Sequence, residues 1–252
     1  MRILKNWAMV EAPKQFSVLG LPVHLLDDYD HWLGTRLHQR LGNHVVTLNA
    51  EMAIQAEHND VLAGIIRKAD LVIPDGSGVI LYLWLQGQRG RRCPGIELAE
   101  SVLRQAGELG KSCPVVFYGG SPGVAQKGAK IWQDKLPELT IAGIEHGYLS
   151  SEEEQKFKEM LKDQQPGLIL VGLGVPRQEL WIAQNRHLCP QATWIGVGGS
   201  FDIWAGIKTR APVWLRENHL EWLYRLYQEP WRWRRMMALP QFALKAIGQR
   251  LA

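Results

Sequence analysis

Residues 168–179 read LILVGLGVPRQE, a short apolar run that leads through two glycines into a helix-like segment. The run at 168–171 shows no alternation of apolar and polar residues, which is typical of a strand buried on both faces of a parallel sheet. Pro176 suits the first turn of a helix, where a backbone N–H would have no partner. The stretch therefore predicts one strand–turn–helix unit of a parallel α/β fold.

The same pattern recurs along the chain on both sides of this unit. Buried strands are predicted at 16–25, 44–48, 71–73, 115–118, 140–142, 168–171 and 193–197. Between them, helices are predicted over 27–41, 50–67, 96–109, 122–136, 151–164 and 176–187. This alternation predicts an α/β fold of the Rossmann-like doubly wound type, with a mostly parallel sheet flanked by helices.

The composition is that of a folded protein rather than a disordered one. Of 252 residues, 46% are hydrophobic and 21% are charged, which fits one large domain with or without an appendage. Cys93, Cys113 and Cys189 lie far apart, which argues against a disulfide scaffold or a structural metal and fits a reducing compartment. Residues 1–15 lack the apolar core of a signal peptide, and no apolar run is long enough to span a bilayer. We therefore expect a soluble, cytoplasmic protein.

The segment 208–252 differs from the rest of the chain in charge. It holds nine basic residues against three acidic ones, together with four tryptophans, whereas the net charge of the whole chain is only +4. We expect an α/β domain over 1–207 and a basic, tryptophan-rich helical appendage over 208–252. Helices are predicted over 213–228 and 231–251, with Pro240 as a candidate break. The charge suggests an anionic partner, namely ligand phosphates, a nucleic acid or a membrane surface.

Polar and glycine-rich residues follow five of the predicted strands. In doubly wound folds ligands bind beyond the carboxyl ends of the strands, and glycine lets backbone amides approach a phosphate or a ribose. No GxGxxG or GxxxxGK[ST] motif is present, and each glycine turn alone fits a tight connection, but three at one sheet edge favour a nucleotide site. The candidates are Thr47, Asn49, Asp75, Gly119, Gly120, Gly172, Gly174, Arg177, Gln178, Glu179 and Gly198.

Asp75 is the most specific candidate for a catalytic residue, since it lies between Pro74 and Gly76 on a rigid turn at a strand end. Its carboxylate could act as a general base that takes a proton from an attacking hydroxyl. Asp-Gly is also a common turn pair, and the local sequence alone favours that structural role. Thr47 and Asn49 are equally consistent with hydrogen bonds to a sugar and with capping of the helix that follows.

Two charged motifs outside the strand ends bear on metal and phosphate binding. The DxD string from Asp28 to Asp30 can hold a metal and a diphosphate in other proteins, but at the start of a predicted helix it is better explained as N-terminal capping. We therefore expect no metal. Arg225, Arg232 and Arg235 would lie within roughly 80° of one another on a continuous helix, which Pro230 interrupts. They fit either a solvated basic face or a clamp on a diphosphate.

Taken together, these strings resemble the WecG/TagA/CpsF glycosyltransferases (glycosyltransferase family 26). The resemblance extends from about residue 18 to about residue 235. The resemblance rests on an ordered set of strings, each modest alone and highly specific together. They are TLNAEM at 47–52, IPDG at 73–76, GGSPGVA at 119–125, VGLGVPRQE at 171–179, GVGGSFD at 196–202, RAP at 210–212, LEWLYRL at 220–226 and EP at 229–230.

The resemblance implies an inverting, metal-independent glycosyltransferase that needs no cofactor. The enzyme would transfer N-acetylmannosamine or its uronic acid from a UDP donor to N-acetylglucosamine on a polyprenyl diphosphate. It would act at the inner face of the cell membrane, in the biosynthesis of a cell-surface polysaccharide or a teichoic-acid-type polymer. A uronic acid donor would call for a cation near its carboxylate, and Arg177 or Lys208 could supply one.

The resemblance also implies roles for individual residues. Asp75 is the expected base, with Thr47 and Asn49 near the reacting sugars and Gln178 in the pocket. The appendage would bring its arginines over the active site next to the membrane and so complete the site. Those arginines are Arg225, Arg232 and Arg235. This chain departs from common family residues at Arg177, where Lys is frequent, and at Glu97, where Asp is frequent, and both departures keep the charge.

Two other functions compete with this interpretation. A Rossmann-type NAD(P)-dependent oxidoreductase would need GxGxxG near the N-terminus and an acid after the second strand, and neither is convincing. A nucleic-acid-binding module could use the basic tail, but its basic residues alternate with apolar ones that need burial, and no RRM or OB pattern is visible. The apolar faces of the tail could pack on the body, on lipid or on another subunit of a homo-oligomer.

Overall fold

A computed structural model of the chain describes residues 12–251. The prediction that no signal peptide is present concerns residues 1–15, of which 1–11 lie outside the described residues. The strands are β1 (Lys14–Val18), β2 (Leu21–Leu25), β3 (Asn43–Leu48), β4 (Leu71–Pro74), β5 (Val115–Gly119), β6 (Ile141–Glu145), β7 (Leu168–Gly172) and β8 (Thr193–Gly196). The helices are α1 (Tyr29–His38), α2 (Ala50–Glu57), α3 (Asp60–Arg67), α4 (Ser77–Leu85), α5 (Gly95–Leu109), α6 (Val124–Lys135), α7 (Ser151–Gln164), α8 (Arg177–Asn185), α9 (Ser200–Trp204), α10 (Val213–Glu217), α11 (Glu221–Gln228), α12 (Trp233–Met236) and α13 (Ala238–Leu251).

Six strands form one parallel sheet in the order β4-β3-β8-β7-β5-β6, which confirms the α/β prediction. Alternate side chains of each strand enter cores on opposite faces. On β5, Phe117 packs into the core that includes α1, α5, α6 and α9, whereas Val116 packs into the core that includes α7 and α8. Because helices cover both faces, β4, β5 and β7 carry apolar residues at nearly every position.

The prediction of a single strand over 16–25 is wrong, because a two-residue turn divides it into the antiparallel hairpin β1–β2. Leu19 (φ 50°) and Gly20 (φ 76°) both adopt left-handed conformations. Such conformations at both central positions give a turn whose twist matches that of the flanking strands. The hairpin is held to β4, the edge strand of the sheet, by the ring of His24, whose Nδ1 accepts the N–H of Val72 at 2.8 Å.

One further helix prediction is wrong, and one helix was not predicted. The helix predicted over 50–67 is two helices, because Asn59 caps α3 by accepting the N–H of Leu62 at 3.0 Å. The sequence analysis also missed α4, which directly follows the Asp75–Gly76 turn. Its residues are apolar on nearly all sides, so they show no helical periodicity.

The segment predicted as an appendage, residues 208–251, is called the tail below, and the preceding residues are called the body. The tail contacts the body at both of its ends. Near its beginning, Arg210 pairs with Glu97 of α5 at 2.6 Å. At its end, α13 buries Phe242 in the core formed with α2 and α4, where it lies 5.9 Å from the ring of Tyr82. Lys245 adds an ion pair with Glu57 of α2 at 3.1 Å. The last described helix therefore covers one face of the body.

The tail helices are shorter than the sequence predicted. The helix predicted over 213–228 is interrupted between α10 and α11, and the one predicted over 231–251 begins as a 3₁₀ turn at Pro230–Arg232 before α12 and α13. Pro240 does not break a helix, since it lies in the first turn of α13, where proline is tolerated. No helix among residues 12–251 is long and apolar enough to cross a bilayer.

Candidate functional site

A cavity of about 440 Å³ lies between the carboxyl edge of the sheet and the tail. It forms where the strand ends β3, β4, β7 and β8 meet the turns after them. Twelve of the fourteen residues singled out from the sequence line it. They are Thr47, Asn49, Asp75, Gly120, Gly172, Gly174, Arg177, Gln178, Gly198, Arg225, Arg232 and Arg235. The other two, Gly119 and Glu179, lie behind the wall of the cavity.

Asp75 is the carboxylate at the end of β4, and it is partly exposed to the cavity. Its Oδ1 accepts the N–H of Gly95 at 2.7 Å, and no hydrogen bond from a described residue reaches Oδ2. Burial raises the pKa of Asp75, although the Gly95 hydrogen bond and the nearby Arg225 and Arg92 act in the opposite direction. A carboxylate with a raised pKa holds a proton more readily, which suits a general base.

Thr47 and Asn49 lie side by side at the end of β3. The hydroxyl of Thr47 donates to the carbonyl of Gly196 at 3.3 Å, across to the neighbouring strand. Asn49 caps α2, since its Oδ1 accepts the N–H of Met52 at 3.0 Å. The capping role inferred from the sequence is therefore present for Asn49, and the same side chain also lines the cavity.

Gln178 and Glu179 form a buried hydrogen-bonded chain under the cavity. The Oε1 of Gln178 accepts the N–H of Gly198 at 3.1 Å, and its Nε2 donates to Glu179 at 3.0 Å. Glu179 is fully buried and also contacts the Nε2 of His44 at 2.9 Å. Glu179 thus orients the amide of Gln178 and does not reach the cavity itself.

Gly119, like Glu179, supports the structure behind the cavity and does not line it. Its φ of 133° is one that residues with a side chain rarely adopt, and an added Cβ would lie 2.4 Å from the carbonyl oxygen of Gly172. The close approach of the two strands where β5 and β7 end therefore requires glycine at this position. Gly120, the next residue, is the one that lines the cavity.

The cavity wall carries seven cations and five carboxylates. The tail arginines named from the sequence are each paired with an acid. Arg225 pairs with Glu221 at 2.9 Å, Arg232 with Glu229 at 2.9 Å and Arg235 with Glu51 at 2.5 Å.

Three cavity arginines keep hydrogen-bonding capacity for a ligand. The Nη2 of Arg177 donates to the carbonyl of Gly147 at 3.0 Å, and no carboxylate among the described residues forms an ion pair with it. The buried Nε atoms of Arg210 and Arg232 have no hydrogen-bond partner within residues 12–251. A buried donor without a partner is costly, so each of these atoms is available to an acceptor that a bound ligand or water supplies.

The three tail arginines do not share one helix. Arg225 lies on α11, Arg232 in the 3₁₀ turn and Arg235 on α12, with Pro230 between the first and the second. The geometry of one continuous helix is therefore wrong for this segment. The turns of the tail, rather than helical periodicity, bring the three side chains to the same cavity.

Arg92 is a cavity residue that the sequence analysis missed. It lies in the connection between α4 and α5, away from any strand end in the sequence. Its Nε donates to the carbonyl of Asp75 at 2.5 Å, and its Nη2 donates to Glu221 at 2.7 Å. The backbone N–H of Cys93 donates to the carbonyl of Pro74 at 3.0 Å and so fixes this connection beside the end of β4. The only hint in the sequence is the basic run of which Arg92 is the last member.

The DxD string lies outside the cavity. Asp28 caps α1, because its Oδ1 accepts the N–H of His31 at 2.8 Å, and Asp30 is in the first turn of that helix. The capping interpretation is therefore confirmed for Asp28. Across residues 12–251 no group of three or more His, Cys, Asp or Glu side chains is arranged to hold a metal ion.

Comparison with known proteins gives consistent similarities over nearly the whole chain. A model of the Glycosyl transferase WecG/TagA/CpsF family matches residues 16–252. The chain is 36% identical over 235 residues to the N-acetylglucosaminyldiphosphoundecaprenol N-acetyl-beta-D-mannosaminyltransferase of Bacillus spizizenii, covering 90% of each chain. It is 32% identical over 212 residues to the protein of the same name from Bacillus subtilis strain 168, covering 84% of this chain and 81% of the relative.

Proposed function

Because this chain belongs to the WecG/TagA/CpsF family of glycosyltransferases, we propose that it transfers N-acetylmannosamine from a UDP donor to N-acetylglucosamine on a polyprenyl diphosphate. The two Bacillus relatives carry this sugar and this class of acceptor in their names. Family membership selects the glycosyltransferase over the dehydrogenase and the nucleic-acid-binding alternatives. The observation that carries the proposal is one cavity in which Asp75 and the tail arginines face the same space.

In the proposed reaction Asp75 is the general base. It takes the proton of the acceptor hydroxyl as that oxygen bonds to the anomeric carbon of the donor sugar. The bond from this carbon to the phosphate oxygen breaks on the opposite side, so the configuration inverts and UDP leaves with the bonding electrons. One base on one side of the sugar and charge stabilisation on the other are sufficient for this displacement.

The charge on the departing UDP is proposed to be offset by arginines rather than by a metal. Arg225, Arg232 and Arg235 present permanently charged, planar groups that suit phosphate oxygens. Their acidic partners in the structure are single carboxylates, which a diphosphate with more charge can displace. The partnerless Nε of Arg232 supports this role.

The arginine proposal predicts that the enzyme releases UDP without a divalent metal. We expect turnover of UDP-N-acetylmannosamine with a lipid-diphosphate N-acetylglucosamine analogue to be unchanged by EDTA. A panel that includes the corresponding UDP-uronic acid and UDP-N-acetylglucosamine identifies the donor. Loss of turnover in EDTA would contradict the arginine proposal, and preference for the uronic acid would replace the donor sugar but not the mechanism.

We also propose that residues 208–252 hold the enzyme at the inner surface of the cell membrane, where a lipid-linked acceptor resides. The tail exposes large aromatic side chains beside basic ones, a combination that favours a bilayer interface. Trp214, Tyr227, Trp231 and Trp233 are each more than half exposed. A peripheral cytoplasmic enzyme of cell-surface polysaccharide biosynthesis would need such a surface.

Vesicle sedimentation tests the membrane proposal. The double variant Trp214→Ser and Trp233→Ser is expected to reduce binding to anionic vesicles roughly tenfold, because buried aromatic area contributes directly to interfacial affinity. Leu41→Ser, an exposed apolar residue on the body, is the matched control and should bind as the unmodified protein does. Equal binding of all three proteins would contradict a membrane role for the tail.

A further inference from the structure

Glu221 joins the two sides of the cavity through a pair of arginines. It is the first residue of α11 and is only 6% exposed. Its Oε2 accepts from the Nη2 of Arg92, on the body, at 2.7 Å, and its Oε1 accepts from the Nη2 of Arg225, on the tail, at 2.9 Å. Each carboxylate oxygen therefore has its own guanidinium partner.

The connection continues to the proposed base. Arg92 also donates its Nε to the backbone carbonyl of Asp75, so an unbroken chain of contacts runs from Asp75 through Arg92 and Glu221 to Arg225. A carboxylate is buried at low cost only when charged partners replace its water. Burial alone would raise the pKa of Glu221, but Arg225, Arg92 and Arg210 together outweigh burial and lower it, so Glu221 stays ionised.

We propose that Glu221 is a positioning residue that fixes Arg92 and Arg225 beside Asp75 and balances their charge there. The inference rests on the proposed function, in which Asp75 is the base. It assigns to Glu221 a role in the chemistry although this side chain need not touch either sugar.

The reason for such a residue lies in two opposite demands on the site. A diphosphate requires cations nearby, but cations next to a carboxylate stabilise its ionised form and weaken it as a base. The charged groups that act most strongly on Asp75 are Arg225, Arg92 and Glu221, and the buried thiol of Cys93 lies near enough for Asp75 to raise its pKa. The two arginines lower the pKa of Asp75 and Glu221 raises it. Glu221 therefore keeps Asp75 basic enough to accept a proton while the arginines stay in place.

The pH dependence of kcat/KM tests this inference. Glu221→Gln keeps a hydrogen-bond acceptor for one arginine and removes the charge, so the acid limb of the profile should move to lower pH by about half a unit to one unit. Glu221→Asp keeps the charge but shifts it, so kcat should fall while the limb stays near its original pH. Arg225→Gln removes a cation and should move the limb the other way, which provides a second test if Glu221→Gln fails to fold.

Glu229→Gln is the matched control. Glu229 also pairs with a tail arginine and a lysine at the cavity, but it is not among the main groups that shift the pKa of Asp75. Its variant should lose activity through Arg232 without moving the acid limb. The inference is overturned if Glu221→Gln and Glu229→Gln move the limb equally, or if neither moves it. If Asp75→Asn instead keeps both activity and the acid limb, the proposed base itself is wrong, and the two failures are thereby distinguished.

Discussion

Asp75→Asn is expected to lower kcat by on the order of 10²- to 10⁴-fold, the range typical for loss of a general base. The amide oxygen of Asn can still accept the N–H of Gly95, so the turn after β4 should keep its geometry. UDP release with the donor and acceptor analogue measures the effect. Thermal unfolding of the same samples separates lost chemistry from lost fold.

The stability of this variant carries an independent prediction. Because the folded protein raises the pKa of Asp75 above 3.8, the stability contributed by this group is present below that pH and is lost as the pH rises through the folded value. Asp75→Asn avoids that loss, so it should be at least as stable as the unmodified protein at neutral pH and equal to it at strongly acidic pH.

Asp28→Asn serves as the control for the activity measurement, since Asn caps helices as well as Asp does, and it should retain full activity. Normal activity of Asp75→Asn would refute the mechanism, and inactivity of Asp28→Asn would return attention to the DxD string.

Arg232→Ala is expected to lower kcat/KM for the UDP donor by roughly 10²- to 10³-fold. The reason is that a charge-stabilising group aimed at a leaving phosphate acts mainly in the transition state. Arg232→Lys should recover only part of this loss, because an ammonium lacks the planar fork that binds two phosphate oxygens. Initial rates over a range of donor concentrations would separate kcat from KM.

Arg234→Ala provides the comparison that isolates this effect. Arg234 lies two residues away and carries the same charge, but it is exposed, stacks on Trp233 at 5.5 Å and does not line the cavity. Its removal should change kcat/KM by less than about twofold. Equal losses in Arg232→Ala and Arg234→Ala would indicate that the net charge of the tail, rather than a specific contact, is what matters.

Much of the body of this protein could be predicted from local patterns. Strands buried on both faces are largely apolar, so β4, β5 and β7 stand out in the sequence, and the parallel arrangement then places the residues after the strands at one edge. Asp75, Thr47 and Gln178 were found in this way. The hairpin was missed because apolar residues continue through its turn, where only Gly20 marks the reversal.

The tail and Arg92 could not be placed by the same reasoning. No strand end precedes Arg92, and its position depends on a backbone hydrogen bond between Cys93 and Pro74 that has no local signature. In the tail, Pro230 ends the helical periodicity, so the directions of Arg225 and Arg232 depend on turns whose geometry is set by packing on the body. Tertiary contacts, not residue type, decide both cases.

The pairing of β3 with β8 has a consequence for how the protein is made. Asn43 and Thr193 are neighbours in the sheet although 150 residues separate them in the chain. Contacts between such distant segments form slowly, and on the ribosome β3 emerges long before its partner. Thr47 reaches Gly196 only once β8 has been inserted, and Arg225 follows later still. A nascent chain therefore carries Asp75 without the groups proposed to act with it, so transferase activity is expected to appear only after synthesis and folding are complete.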